Sequence, residues 1–178
     1  MNRFASRGGF TLLEVLIALL IFSLGLLGMA GLLSVSVRTN HSAYVRTQVT
    51  FLAQALADRM RSNNLGLWAN SYNVGLTNAA AVTVPTTCNY PSTCSSADMA
   101  TRDMAVWVNQ LVAFLPASQY RVNCVLAGGA TAPDSSQIVK LPPYTGTCEI
   151  EIKWKDVSLE QASRTTSFPQ DFDWVFEP

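Results

Sequence analysis

The chain has 178 residues, four cysteines, one histidine and a formal net charge of zero. Its length leaves room for one modest domain. The balanced charge argues against a bulk nucleic-acid binder, because such proteins normally carry a basic surface.

An uncharged apolar run without proline extends from Val15 to Val37. About 20 apolar residues cross a bilayer core. The Leu, Ile, Val and Phe residues of the run contribute about −4 to −8 kcal/mol on the membrane-insertion scale, whereas an acid at the membrane centre costs about 3 kcal/mol. Glu14 stands at the edge of the run and should cost less. The run therefore predicts one membrane-spanning helix.

Glu14 is informative because an acid in an apolar segment usually has a partner. Cleavage between Gly9 and Phe10 would create a positive amine four residues before this acid. In a packed assembly, that amine would meet Glu14 of a neighbouring subunit. A paired charge is far less costly in an apolar medium than a single one.

The stretch Arg7-Gly8-Gly9-Phe10-Thr11-Leu12-Leu13-Glu14 resembles the leader junction of type IV pilins and type II secretion pseudopilins. The resemblance implies cleavage after Gly9 by a prepilin peptidase, N-methylation of Phe10, and guidance of filament docking by Glu14. Arginines flank both sides of the apolar run, so charge alone does not decide the orientation of the helix in the membrane. The resemblance implies that the N-terminus is cytoplasmic. Loss of the leader would leave the chain slightly acidic. The alternative, an ordinary single-span membrane anchor, explains the apolar run but not the Gly-Phe-Thr-Leu-Leu-Glu junction.

The helical pattern continues beyond the apolar run, because Arg38 to Ser62 contain no glycine or proline. Apolar residues recur there at helical spacing: Val45, Val49, Leu52, Leu56 and Met60. We expect one helix from about Phe10 to Ser62, roughly 80 Å long, ended by left-handed caps at Asn63, Asn64 and Gly66. The expected parts are a leader (1–9), a membrane or filament-core half (10–37), an amphipathic half (38–64) and a head (65–178).

Three glycines, Gly25, Gly28 and Gly31, recur near one face of the helix. They would allow close helix packing in a filament core or local loosening of the helix. The alternative is that glycine is simply common in membrane helices. The segment 25–32 and the stretch Ala57-Asp58-Arg59-Met60-Arg61-Ser62-Asn63 resemble the minor pilins called PilV, or type IV pilus modification proteins. The charges of that stretch also fit a solvated helix end with local ion pairs.

The head begins with a loop-like region over 65–96, in which Val82-Thr83-Val84 form a candidate short strand. Ser95 or Ser96 caps a second helix that ends at Pro116. Its apolar stripe indicates a core-facing helix and consists of Met104, Trp107, Val108, Leu111 and Leu115.

The spacing then changes to a period of two, which predicts strands. One strand carries Tyr120, Val122, Cys124 and Leu126 on one face, the next carries Cys148, Ile150, Ile152 and Trp154, and a last strand covers Phe172 to Phe176. Loop connections favour an antiparallel sheet. The predicted fold class is α+β, and the resemblance implies the type IV pilin fold, a long helix packed on a small antiparallel sheet.

All four cysteines lie beyond the apolar run, and their even number indicates disulfides in an oxidising periplasm. Cys88 and Cys94 can close a small loop, while apolar faces favour a Cys124–Cys148 bond. Four buried free thiols are the alternative. A zinc site is disfavoured because the chain has no Cys-x-x-Cys pair or histidine pair.

Catalytic motifs and cofactor fingerprints are absent from the sequence, so we expect neither an enzyme nor a cofactor. A Ser-His-Asp site would depend wholly on His41. Asp171 and Asp173 are either a cation site or, more simply, solvated acids.

The resemblance to minor pilins implies that the chain is a minor type IV pilin, which primes pilus assembly near the tip and supports adhesion and twitching motility. The resemblance implies that its partners are other minor pilins, the major pilin, the prepilin peptidase and a tip adhesin. It implies a single-pass inner-membrane protein with a periplasmic head, later found in the surface pilus. The alternatives are a minor pseudopilin of type II secretion and a membrane-anchored periplasmic binding module, for example in DNA uptake.

Overall fold

The computed structural model describes residues 9–88, 93–115, 117–138, 140, 142–155 and 169–178. The chain divides into two compact units, Met1–Ser42 and Ala43–Pro178. The leader residues before Gly9, including Arg3 and Arg7, lie outside the described residues.

The first element is helix α1, Leu12–Ser62, 51 residues long. Its start lies two residues after the predicted start because Thr11 acts as its N-cap. The Thr11 hydroxyl oxygen accepts a hydrogen bond from the Glu14 N–H at 3.3 Å. The predicted end at Ser62 is confirmed.

The predicted left-handed caps after α1 are wrong. Asn63 has φ −126° and instead serves as the N-cap of a second short helix, α2, Asn64–Trp68. Its side chain accepts a hydrogen bond from the Gly66 N–H at 3.2 Å. Gly66 is needed for space, because a Cβ there would overlap the Asn63 amide group.

The described residues of the second unit form a four-stranded antiparallel sheet, in which the strands lie side by side in sequence order. Its strands are β1, Val74–Asn78; β2, Gln119–Leu126; β3, Gly146–Lys155; and β4, Pro169–Phe176. Strand β1 was not expected, since the polar and glycine-containing sequence of 74–78 has no clear alternation. The expected strand over Val82–Val84 is wrong. That segment is coil, held by Asn109, whose side chain bonds both backbone groups of Val82.

Helix α3, Ser96–Phe114, separates β1 from β2 in the sequence, and the single turn α4, Ser135–Ile138, lies between β2 and β3. Ser95 is the N-cap of α3, and its hydroxyl accepts from the Asp98 N–H at 3.1 Å. Pro116, the predicted terminator of α3, lies outside the described residues.

The core of the second unit lies between the end of α1, helix α3 and one face of the sheet. The predicted stripe of α3 is buried, as are the predicted apolar positions of β3. Trp107 joins the two helices, because its indole Nε1–H donates to the Leu52 carbonyl at 2.9 Å. The α1 residues in this core are Val45, Val49, Ala53, Leu56, Ala57 and Met60.

Candidate functional site

The N-terminal segment combines an accessible peptide bond with a capped helix start. Gly9 and Phe10 precede α1 and are exposed, Phe10 by 83%. Thr11 accepts from the Glu14 N–H through both its hydroxyl, at 3.3 Å, and its carbonyl, at 3.1 Å. The Thr-Leu-Leu-Glu spacing is that of a capping box, which stabilises the first turn of a helix.

The carboxylate of Glu14 lies in the first turn of α1, where the helix dipole favours a negative charge. Among the described residues, no cation lies within ion-pair distance of it. Glu14 is also exposed. The segment therefore presents an exposed acid that has no ion pair with any described residue.

Every residue from 9 to 37 is exposed. The most apolar stretch of α1 has a mean hydropathy of 2.6 with none of it buried. Soluble monomers rarely expose a contiguous apolar patch larger than a few hundred Å². This half of α1 therefore needs a lipid or protein environment to cover it.

The glycines of this half make no close contacts. A Cβ added at Gly25, Gly28 or Gly31 would meet nothing within 4 Å. The fold of the isolated chain therefore does not require glycine at these positions, and close packing against another subunit stays a prediction.

The Ala57–Asn63 stretch contacts other elements of the second unit and is not simply a solvated helix end. Arg59 lies 3.5 Å from the Asp103 carboxylate on α3. Asn63 donates to the Tyr72 hydroxyl at 3.0 Å and to the Ser96 carbonyl at 2.8 Å. The Asp58–Arg61 pair, at 3.1 Å, is the one local ion pair of this stretch, as expected for a solvated helix end.

Tyr72 is the centre of this buried network. Its hydroxyl donates to Asp103 Oδ2 at 2.8 Å and accepts from Asn63. Burial is the main cause that raises the pKa of the Tyr72 phenol, and the hydrogen bond to Asp103 adds to it. The network ties α1 and α3 together, and no motif in the sequence indicated it.

Arg61 connects α1 to the last strand. Its guanidinium lies 5.3 Å from the centre of the Phe176 ring and donates to the Glu177 carbonyl at 3.3 Å. Arg46 makes a further hydrogen bond to Gln170 on β4. Two basic residues of the helix thus hold both ends of β4.

The outer face of the sheet carries a chain of ion pairs. Arg121 lies 3.1 Å from Glu149 and 2.6 Å from Glu151, and Lys153 lies 2.7 Å from Glu151. The Lys153 hydrogen bond is the main cause that lowers the pKa of Glu151. The same bond raises the pKa of Lys153, with smaller contributions from Asp171 and Asp173.

Two disulfides join the four cysteines as Cys88–Cys94 and Cys124–Cys148. The second connects directly opposed residues of β2 and β3, with Cα atoms 4.0 Å apart. Cys148 is fully buried and Cys124 nearly so.

The remaining candidate residues do not converge. His41 is exposed on α1, while Asp171 and Asp173 are exposed on β4. Within the described ranges, no group of three or more His, Cys, Asp or Glu side chains is placed to bind a metal. A cavity of about 490 Å³ between β1, α3 and the coil at 79–85 is lined by apolar and hydroxyl side chains, among them Met104, Val108 and Tyr120.

Two family models match the chain. Residues 32–105 match the model described as Type IV pilin Tt1218 (Tt1218-like), and residues 5–30 match the Prokaryotic N-terminal methylation motif. No curated protein and no solved structure matches. The methylation motif covers Gly9, Phe10 and Glu14. The long apolar helix and the small antiparallel sheet are the elements of the type IV pilin fold, so the predicted fold class is confirmed.

Proposed function

From a type IV pilin domain and an N-terminal methylation motif, we propose that the chain is a minor pilin of the PilV kind. It takes part in the assembly or initiation of type IV pili, in a tip or priming complex, and supports adhesion and twitching motility. One observation carries the proposal. In the exposed segment Gly9–Glu14, an accessible Gly9–Phe10 bond is followed by a capped helix start and by Glu14, which has no cation partner among the described residues.

Processing prepares this segment for assembly. Hydrolysis of the Gly9–Phe10 bond by a prepilin peptidase frees the α-amine of Phe10, whose ordinary pKa of about 7.7–8.0 keeps it largely protonated near neutral pH. N-methylation of the amine preserves the positive charge. The new cation lies four residues before Glu14. The Phe10 amine of one subunit can therefore pair with the Glu14 carboxylate of a neighbouring subunit.

The apolar half of α1 holds the chain in the inner membrane before assembly and in the filament core afterwards. Both environments cover the exposed side chains of residues 15–37. The head, in the periplasm, selects neighbours among other minor pilins, the major pilin and a tip adhesin. Two disulfides support an oxidising compartment for the head.

Mass spectrometry of pili sheared from cells tests the proposal. We expect this chain in the sheared fraction, with an N-terminal peptide that begins at methylated Phe10. An uncut Gly9–Phe10 bond would contradict it and leave a membrane-anchored binding module.

The same experiment separates the pilin from a type II secretion pseudopilin. A pseudopilin would be processed at the same bond but retained in the inner membrane, and its loss would impair protein secretion and leave twitching intact. For a minor pilin, deletion should reduce piliation and twitching and leave secretion unchanged.

A further inference from the structure

Strand β4 is the longer and more regular of the two edge strands in the sheet that the described residues form. It pairs with β3 from Pro169 to Phe176 without a register shift. The other edge, β1, has a register shift between Val74 and Thr77, and such irregularities protect edges from further pairing. Strand β4 is therefore the better template for an added strand.

The register identifies which backbone groups of β4 point outward. The Cys124 N–H and carbonyl bond the Asn73 side chain, so they point away from β3. Since backbone directions alternate along antiparallel strands, the backbone of Cys148 points towards Phe176, its partner on β4. The groups of Asp171, Asp173 and Val175 then point away from the sheet.

The side chains at this edge carry negative charge. Asp171 and Asp173 lie on the outer face, opposite Lys153 and Glu151. Lys153 is already paired with Glu151 at 2.7 Å. Within the described ranges, neither aspartate has an ion pair of its own. A strand added beside β4 would therefore meet two carboxylates at alternate positions, neither of which has an ion pair among the described residues.

The core-facing side of the edge is apolar. Phe172 and Trp174 point to this side and are only partly buried, and Trp174 stacks on Phe176 with ring centres 4.8 Å apart. An added strand with apolar side chains on this face would cover the rest of both rings.

We infer that β4 is the docking edge for an extended segment of a different protein, with lysine or arginine at alternate positions and apolar residues between them. Backbone hydrogen bonds supply affinity and the alternating side chains supply specificity, as in other cases of strand addition. A second copy of this chain is a poor occupant, because pairing β4 with itself brings four aspartates together. The inference concerns the unit Ala43–Pro178 and does not require that the chain enters a pilus.

Peptide binding to the purified full chain in an uncharged detergent tests this docking. The probe is a labelled peptide with alternating lysine and valine, and the control peptide has the same composition with lysines and valines in separate blocks. We expect saturable binding of the alternating peptide and at least about tenfold weaker binding of the block peptide. Amide exchange should slow at Asp171, Asp173 and Val175.

Two variants separate charge from backbone pairing. Asp171→Lys with Asp173→Lys should weaken the alternating peptide at least about tenfold, because like charges then face each other. Asp173→Pro removes an outward N–H and should abolish binding, while proline is tolerated on an edge strand. If Asp173→Pro loses the native near-UV spectrum, Val175→Pro makes the same test.

Three results would overturn the inference. They are no saturable binding up to about 1 mM peptide, equal binding of the two peptides, and wild-type binding by a folded proline variant. Each is independent of whether the chain is found in sheared pili, so the proposed function can stand without this docking edge.

Discussion

The side chain of Asn73 makes both hydrogen bonds of a β-bridge with the backbone of Cys124. Asn73 Oδ1 accepts from the Cys124 N–H at 2.8 Å, and Asn73 Nδ2 donates to the Cys124 carbonyl at 3.2 Å. A side-chain amide has the same donor and acceptor as a peptide group. It therefore extends the pairing of β2 beyond Val74, beside the buried disulfide.

Asn73→Ala should destabilise the chain by about 1–3 kcal/mol, because it leaves two backbone groups of a central strand without partners. Chemical unfolding of the full chain in detergent, followed by near-UV circular dichroism, measures this. Asn123→Ala is the matched control, since Asn123 is on the same strand and its side chain has no hydrogen bond within the described ranges. Equal losses in the two variants would contradict a special role for Asn73.

Removing Cys124–Cys148 should destabilise the head more than removing Cys88–Cys94. The bonds close separations of 24 and 6 residues, for which the loop-entropy model gives about 3.5 and about 2 kcal/mol. The first also leaves a gap in the core, because both of its cysteines are buried. Thermal unfolding of the two double Cys→Ala variants compares them, and equal shifts in Tm would count against the prediction.

Stability should fall in alkali through Tyr72. Its folded pKa is raised, so the folded state holds the phenolic proton more tightly than the unfolded state does. This contribution is complete below the ordinary tyrosine pKa of about 10 and decreases as the pH rises above it.

Tyr72→Phe should flatten this alkaline slope. At pH 7 it should also cost about 1–3 kcal/mol, because Asp103 and Asn63 each lose a hydrogen-bond partner in a buried site. Unfolding curves at pH 7, 9 and 10.5 for both proteins test the two effects. An unchanged alkaline slope would show that another group causes it.

The fold was predictable where one spacing extended over many residues. The end of α1, the stripe of α3 and the alternation of β3 all follow from repeated burial of one face. Strand β1 was missed because four of its five residues are exposed. Its conformation depends on pairing with β2. The paired residues Val74 and Val122 are 48 positions apart, so the pairing leaves no local signal in the sequence.

The candidate N-terminal segment was identifiable in the sequence for a different reason. Gly9, Phe10 and Glu14 form a local motif, and their chemistry is readable without tertiary structure. The Tyr72–Asp103 bond joins residues 31 positions apart. A tyrosine and an aspartate at that separation carry no periodic pattern, so only the packing of the segment between α2 and β1 against α3 reveals the pair.

Removing the charge of Glu14 should impair assembly and leave processing intact. Glu14→Gln keeps the size of the side chain and the Thr11 cap, because the cap bonds the Glu14 backbone N–H. We expect normal cleavage after Gly9 but a fall, on the order of tenfold, in the ratio of pilus-bound to membrane-bound protein, since a buried cation would lose its partner.

Asp58→Asn is the control for Glu14→Gln, because it removes an exposed carboxylate of the same helix. Quantitative immunoblots of sheared and membrane fractions measure the ratio. Wild-type ratios in Glu14→Gln would refute the pairing of Glu14 with the Phe10 amine.

Replacing Gly28 with a larger residue tests whether the glycines are needed for close helix packing or are simply common in membrane helices. A side chain at this position meets nothing within 4 Å in the isolated chain, so Gly28→Leu should leave processing and head stability unchanged. If the glycines permit close approach of neighbouring helices, the larger side chain should reduce incorporation into pili. Ala30→Leu is the control, since it enlarges a small residue about 200° around the same helix. Equal incorporation of both variants and the wild type would mean that these glycines are not packing positions, because the added volume then meets no neighbour in the filament.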